Sequence, residues 1–270
     1  MTVVSAFLVP GSPLHFLRPD NPPWKPIIDG YERAARALAM SRPDAVLLYS
    51  TQWMAVLDAL WQVRPHLTGL HVDENWHEFG ELAFDIRVDV NLASACVEAT
   101  KNAGITSKGV DYDQFPVDSG TIVACKLLDP DGRFPFVMAA NNLYHDAATT
   151  TRMAEIAAGI ARTQNKKVAV VGVGGLSGTV FRQGIAIEED RIASESDDTW
   201  NRRVLGLIEK GETQQVNDIS AAYAEEARVD MGFKHLAWIN GAIGGRYFGA
   251  RVHGYGPAYG GGAAVVEFKL

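Results

Sequence analysis

Histidine and cysteine are the side chains best suited to catalysis or metal binding, and this sequence of 270 residues holds seven of the first and two of the second. The histidines are His15, His66, His71, His77, His145, His235 and His253. None falls in an H-E-x-x-H arrangement, and Cys96 and Cys125 lie too far apart for a thiolate zinc site. His71 and His77, with Asp73, Glu74 and Glu78, form the densest group of potential ligands. Their spacing fits no standard site, and residues 72–77 read as a surface loop. The run Gly172-Val173-Gly174-Gly175-Leu176-Ser177-Gly178 follows an apolar stretch, where a nucleotide-binding turn would sit. Its third position holds Ser177 instead of glycine, so a tight strand-to-helix turn is expected there. No serine completes a nucleophile elbow. In His253-Gly254-Tyr255-Gly256, glycines flank an aromatic, which suggests a backbone passing close to something; the plain expectation is a tight turn before the last strand.

The elements that would carry these residues alternate. Residues 45–50, 134–140 and 168–173 are continuous apolar runs, as expected of strands buried on both faces. Residues 27–40 carry apolar side chains at helical spacing, with Arg33 and Arg36 on the other side. Further helices are expected at 91–103, at 118–128 and from Asp146 to about Arg162. Residues 199–243 are helical in pattern, broken at Gly211 and Gly232, and 263–268 form a closing strand. Nothing separates two halves. The expected fold is α/β, a single domain over 1–270 with a central, mostly buried β-sheet and helices on both faces.

Composition sets the outer limits. Hydrophobic residues are 47% and charged residues 21%, ordinary for a globular protein. The net charge is −7 with scattered Lys and Arg, so no nucleic-acid footprint is expected. No apolar stretch is long enough to span a membrane. The apolar residues 6–9 follow no basic segment and stop at Pro10, so no signal peptide is expected, and a cytoplasmic protein with two free thiols is.

Five segments in order carry a resemblance: residues 7–13, residues 46–53, Ala139-Ala140-Asn141-Asn142, residues 168–181 and residues 251–256. Together they resemble the class III extradiol ring-cleavage dioxygenases, the superfamily of the protocatechuate 4,5-dioxygenase catalytic chain, over essentially the full length. Within that family the chain resembles the members built from two related subunits. The resemblance implies an iron(II) held by two His and one Glu, with a further His in acid–base work. The positions it implies for them here hold Gly11, Gln52 and Arg251 for the ligands and Gly178 for the acid–base residue. Ser119 stands where a substrate-contacting Tyr is implied.

The implied consequence is a vestigial pocket of Gly11, Gln52, Ser119, Gly178, Arg251, His253 and Tyr255, with no catalytic or metal-binding residue. Arg251 is expected to reach into it. A guanidinium about 4 Å from a divalent cation would be repelled by roughly 8 kcal/mol at an effective dielectric of about 20. No cofactor is then expected in this chain; Fe(II) would belong to a homologous catalytic β subunit, paired with it in an α2β2 heterotetramer. Two alternatives remain: the degenerate pocket binds a small aromatic and regulates the partner, or a metal site has been rebuilt around His71, His77 and Glu78.

Overall fold

Four apolar runs of the sequence become the centre of one sheet. The structure, a computed structural model, describes residues 2–270. In chain order its elements are β1 (Val3–Val9), α1 (Leu14–Leu17), α2 (Lys25–Ser41), β2 (Ala45–Ala55), β3 (Ala59–Gln62), β4 (His66–His71), β5 (Leu82–Arg87), α3 (Val90–Asn102) and β6 (Ser107–Val110). They continue with α4 (Ser119–Leu128), β7 (Phe136–Asn142), α5 (Ala147–Thr163), β8 (Val168–Val173), α6 (Glu195–Lys210), α7 (Thr213–Glu226), α8 (Lys234–Ile243), β9 (Ala250–Ala258) and β10 (Gly261–Phe268). Eight strands form a sheet in the order β6-β3-β7-β2-β8-β1-β10-β9, and β4 and β5 form a separate antiparallel pair.

The central β7, β2, β8 and β1 are parallel to one another. They are buried apart from Val4 of β1 and residues 52–54 of β2, which accounts for their lack of polar alternation. Helices α2 and α4 pack on one face, and α8, backed by α5, packs on the other. The expected α/β fold and its main helices are therefore present. Among the described residues no helix is long and apolar enough to cross a membrane.

Three expectations change. His253-Gly254-Tyr255-Gly256 is no turn; it lies inside β9, the edge strand, with Gly254, Tyr255 and Gly256 paired to β10 and the register shifting at His253. Successive side chains of a strand face opposite ways, so Gly254 backs onto α2 while Tyr255 reaches Asp198 of α6. The run after β8 does not enter a helix, because α6 begins only at Glu195. Strands β3 to β6 went unanticipated, being short and mixed in polarity.

The close backbone approach suspected at these glycines is real. A Cβ on Gly254 would strike the carbonyl oxygen of Pro26 and crowd Ile27. Arg33 of α2 donates to the His253 carbonyl, and His15 Nε2 lies 3.2 Å from that of Pro257. Both contacts occupy outward carbonyls of β9, shielding an edge that would otherwise invite pairing. Gly254→Ala is expected to lower stability by about 2–3 kcal/mol by forcing α2 off the sheet, read as a lower urea midpoint at unchanged slope.

Candidate functional site

Parallel strands bring their carboxyl ends together, and open α/β sheets hold ligands just beyond such ends. A cavity of about 480 Å³ lies there, with Gly11, Gln52, Gly178, Arg228, Asp230 and Tyr259 among its lining residues. Pro10 and Gly11 follow β1 directly. The register of β2 against β7 breaks between Ser50 and Met54, which turns Thr51 and Gln52 out of the regular ladder. Asp118 caps α4, accepting from Thr121 N at 2.9 Å and from the Ser50 hydroxyl at 2.6 Å. Burial pushes the Asp118 carboxyl above its ordinary range, and those hydrogen bonds pull against the shift.

This cap sets Ser119 and Gly120 over the end of β2. The Ser119 hydroxyl donates to Gln52 Oε1 at 2.9 Å. A Cβ on Gly11 would lie 2.9 Å from Gln52 Nε2 and 2.8 Å from the Cα of Gly120. A Cβ on Gly120 would lie 2.8 Å from Gln52 Oε1. The Gln52 amide is thus wedged between two glycines and held by Ser119. On the far wall, a Cβ on Gly178 would lie 2.5 Å from the Arg228 carbonyl oxygen, so a side chain there needs backbone movement.

The glycine-rich turn after β8 offers nothing to a phosphate. Gly174 N donates to Val9 O, Gly175 N to Asp230 Oδ2, Leu176 N to Gly262 O, Ser177 N to Asn201 Oδ1 and Gly178 N to Ala227 O. With every amide committed, the nest that a dinucleotide site needs does not exist.

Two residues of this region escaped sequence reasoning. Asp230 Oδ2 accepts from Thr51 Oγ1 as well as from Gly175 N. Met231, Gly232 and Phe233 then take three consecutive left-handed conformations, φ 45°, 66° and 65°, which for the two non-glycine residues costs about 1–2 kcal/mol each. That strained link delivers Lys234, only 9% exposed, to the end of β7. Its ammonium donates to Asn142 O at 3.0 Å and Asn141 Oδ1 at 3.2 Å, and Asn141 Nδ2 donates to Thr51 O. Burial draws the Lys234 pKa below the ordinary lysine value, with Asp146 opposing. Only Gly232 hinted at this turn, and Lys234 in sequence looks like a solvated helix residue.

Of the residues expected at one pocket, the structure brings Gly11, Gln52, Ser119 and Gly178 together and places three elsewhere. Arg251 is exposed on edge strand β9 opposite Glu267, and it does not reach the cavity. The expectation for Arg251 therefore fails, because its segment continues the sheet instead of looping over the strand ends. His253 Nε2 lies 2.8 Å from Glu267 Oε2, and Tyr255 donates to Asp198 Oδ1 at 2.5 Å with Arg202 stacked on its ring. The rebuilt site around His71, His77 and Glu78 fails too: among the described residues no group of three or more His, Cys, Asp or Glu is placed to hold a metal ion.

The iron(II) that the resemblance implies can be tested against the donors present. Gly11 offers no side chain, and the Gln52 oxygen already accepts from Ser119. Asp230, the carboxylate of the cavity, is engaged by Thr51 and Gly175. A buried ammonium, Lys234, stands beside the same strand ends. One carboxylate, one amide and a nearby cation do not fit a facial triad. The variant Gly11→His/Gln52→His/Arg251→Glu is expected to show no heat of Fe(II) binding in anaerobic calorimetry, because position 251 cannot reach. Gly11→His alone is expected to cost about 1–3 kcal/mol, through the clash with Gly120.

A mixed sheet with helices on both faces, and a site at the carboxyl ends of its parallel strands, is a frame that many α/β proteins share. Residues 7–266 match the model described as the catalytic LigB subunit of aromatic ring-opening dioxygenase, and the chain belongs to that family, the class III extradiol dioxygenases. It is 50% identical over 271 residues to the 2-aminophenol 1,6-dioxygenase alpha subunit of Pseudomonas sp, covering 100% of both chains. It is 27% identical to the beta subunit of that name from Pseudomonas sp, over 99% of this chain and 94% of the other. A crystal structure of an uncharacterized Escherichia coli K12 protein shares the fold, with TM-score 0.67 at 16% identity over 98% of this chain and 99% of that one.

Proposed function

We propose that this chain is the non-catalytic, alpha-type subunit of a ring-opening dioxygenase acting on 2-aminophenol or a close relative. Its partner is a homologous beta-type chain that carries the Fe(II) and cleaves the ring, and the two assemble as α2β2. One observation carries the reading: at the strand ends where the family does its chemistry, the Gln52 amide fills the space between Gly11 and Gly120. The full-length identity to a protein named as an alpha subunit, almost twice that to the beta subunit, supports the same assignment. The chain's part is then to stabilise and position its partner.

The test is anaerobic reconstitution with Fe(II), with ring opening of 2-aminophenol followed for each chain alone and for the mixture. The expected result is no turnover by this chain, low or unstable turnover by the beta-type chain, and full turnover by the pair. Turnover by this chain alone would contradict the proposal. A second reading is favoured by the remaining cavity, whose volume of about 480 Å³ accommodates a single aromatic ring. In that reading it binds a small aromatic and regulates the partner. Calorimetry with 2-aminophenol on the isolated chain decides it: absence of heat at millimolar ligand removes the regulatory reading.

A further inference from the structure

Two charged side chains line the cavity at the strand ends and have no part in the dismantled metal position, Arg228 and Asp230. Neither has its bonding capacity filled. The Arg228 guanidinium donates to Thr179 Oγ1 at 2.9 Å, and among the described residues it pairs with no carboxylate. A guanidinium carries five N–H donors, so others stay open. Asp230 takes both of its side-chain hydrogen bonds on Oδ2, from Thr51 Oγ1 at 2.5 Å and from Gly175 N at 3.1 Å, and its Oδ1 has no partner among the described residues. A third open group is the Gln52 amide, whose Oε1 accepts from Ser119 while its Nε2 finds no acceptor. None of the three is sealed in the core: Arg228 is exposed, and Asp230 and Gln52 are half-buried.

These open groups define a ligand by what they lack. Arg228 calls for an anion, and the free oxygen of Asp230 calls for an N–H or O–H. Asp197 limits the charge that the site accepts. It is buried, accepts from the Thr179 hydroxyl and so stands behind the guanidinium, its own charge held by the first turn of α6 in which it lies. A second anionic group on the ligand would face Asp197 and Asp230 with no cation to meet it. A neutral phenol would cover Arg228 without offering it an anion, and a plain carboxylate would leave Asp230 without a donor. One carboxylate with an amine beside it satisfies both. The volume of about 480 Å³, with Val229, Met231 and Tyr259 among its walls, suits a single small planar molecule.

We infer that the cavity is a site for a small planar amino-carboxylate, held by its carboxylate on Arg228 and by its amine on Asp230 Oδ1, with the Gln52 amide as a further donor. This rests on the regulatory reading above and names its ligand. Ring opening of 2-aminophenol by O₂ beside the hydroxyl-bearing carbon breaks one C–C bond and puts one oxygen atom on each of its carbons. The hydroxyl-bearing carbon becomes a carboxylate with release of a proton, its neighbour becomes an aldehyde, and the amine stays. The product of the partner's reaction therefore has the chemistry that the cavity asks for, and the substrate lacks the anion. In this role the chain senses what its partner releases.

The experiment is calorimetry on the full chain with 2-aminobenzoate as the probe, a stable planar molecule with its amine next to its carboxylate, compared with benzoate, aniline and 2-aminophenol. The expected result is binding of 2-aminobenzoate at least about tenfold tighter than each of the other three, because each lacks one of the two contacts. Arg228→Met is expected to weaken 2-aminobenzoate and benzoate at least about tenfold and to leave aniline unchanged, a split that a merely structural role for Arg228 would not produce. Arg182→Met, at an exposed arginine outside the cavity lining, serves as the control and binds as the unmodified chain does. Melting temperature verifies that both variants fold. The protein-free mixture left after complete ring opening of 2-aminophenol is expected to displace 2-aminobenzoate; failure to displace it overturns the product as the ligand. Binding of 2-aminophenol as tight as that of 2-aminobenzoate, or equal weakening of aniline and 2-aminobenzoate by Arg228→Met, overturns the inference and leaves the regulatory reading standing. Absence of heat from all four compounds at millimolar concentration overturns both, with the subunit reading intact.

Discussion

Between pH 6.5 and pH 4 the chain is expected to lose about 1.4 kcal/mol of stability per pH unit for each of two buried imidazoles. His15 and His235 are both fully buried. His15 Nδ1 and both ring nitrogens of His235 have no hydrogen-bond partner. Burial lowers the His15 pKa from 6.5 to about 4, against the raising effect of its contact with Pro257. Burial likewise holds His235 well below its ordinary value, against the nearby charge of Asp230. Both groups stay neutral in the folded chain at pH values where the unfolded chain is already protonated. The unfolded state therefore binds more protons in this window, and stability falls as the pH falls. Asp118, whose carboxyl is raised by burial, works in the opposite sense at the acid end. His235→Leu is expected to remove about half of the slope, measured as urea-unfolding free energy at half-unit pH intervals. An unchanged slope would mean that His235 is not the group being protonated.

Asp190→Ala is expected to cost about 3–5 kcal/mol, the largest single-residue effect proposed for this chain. Asp190 is 6% exposed, and no cation pairs with it among the described residues. Its Oδ2 accepts from Trp24 Nε1 and from Tyr259 N, each at 2.7 Å, and its Oδ1 accepts from Gly260 N at 2.9 Å. One carboxylate thus ties the long connection over residues 174–194 to the start of α2 and to the β9–β10 turn. Removing it strands three donors, one of them on a fully buried Trp24. Asp190→Asn keeps one acceptor oxygen but turns an N–H₂ toward a donor, so it is expected to recover only part of the loss. Urea midpoints at pH 7 measure both; a loss under 1 kcal/mol in the alanine variant would show that water replaces the carboxylate. Because Tyr259 also lines the cavity at the strand ends, the same variant is expected to loosen that wall.

Much of this architecture could be read from residue order alone. The runs that became β2, β7 and β8 are apolar because both faces of the sheet are covered, and α2 and α5 follow from spacing and an Asp146 cap. Gly211 ends α6 in a left-handed conformation, as its position suggested. Strands β3 and β6 are four residues each, too short for alternation to register. At the site, Gly11, Gln52, Ser119 and Gly178 converge because each lies near the end of an element whose position was legible. Arg251 was misplaced because the resemblance put it at a ligand position, whereas its segment runs along edge strand β9; the turn expected from the glycines beside it gives way to a strand in which Gly254 lets α2 pack closely. Asp230 and Lys234 were invisible for a different reason. Their roles depend on three left-handed residues and on the ends of β2 and β7, none of which leaves a local pattern in the sequence.

The central claim is that the family's metal position has been dismantled here and that the chain serves a partner which keeps it. Native mass spectrometry of the untagged assembly from its own cells, followed by metal analysis of the separated chains, tests this most directly. The account predicts a complex with a second family member and iron only on that second chain. A homo-oligomer of this chain carrying stoichiometric iron of its own would contradict it.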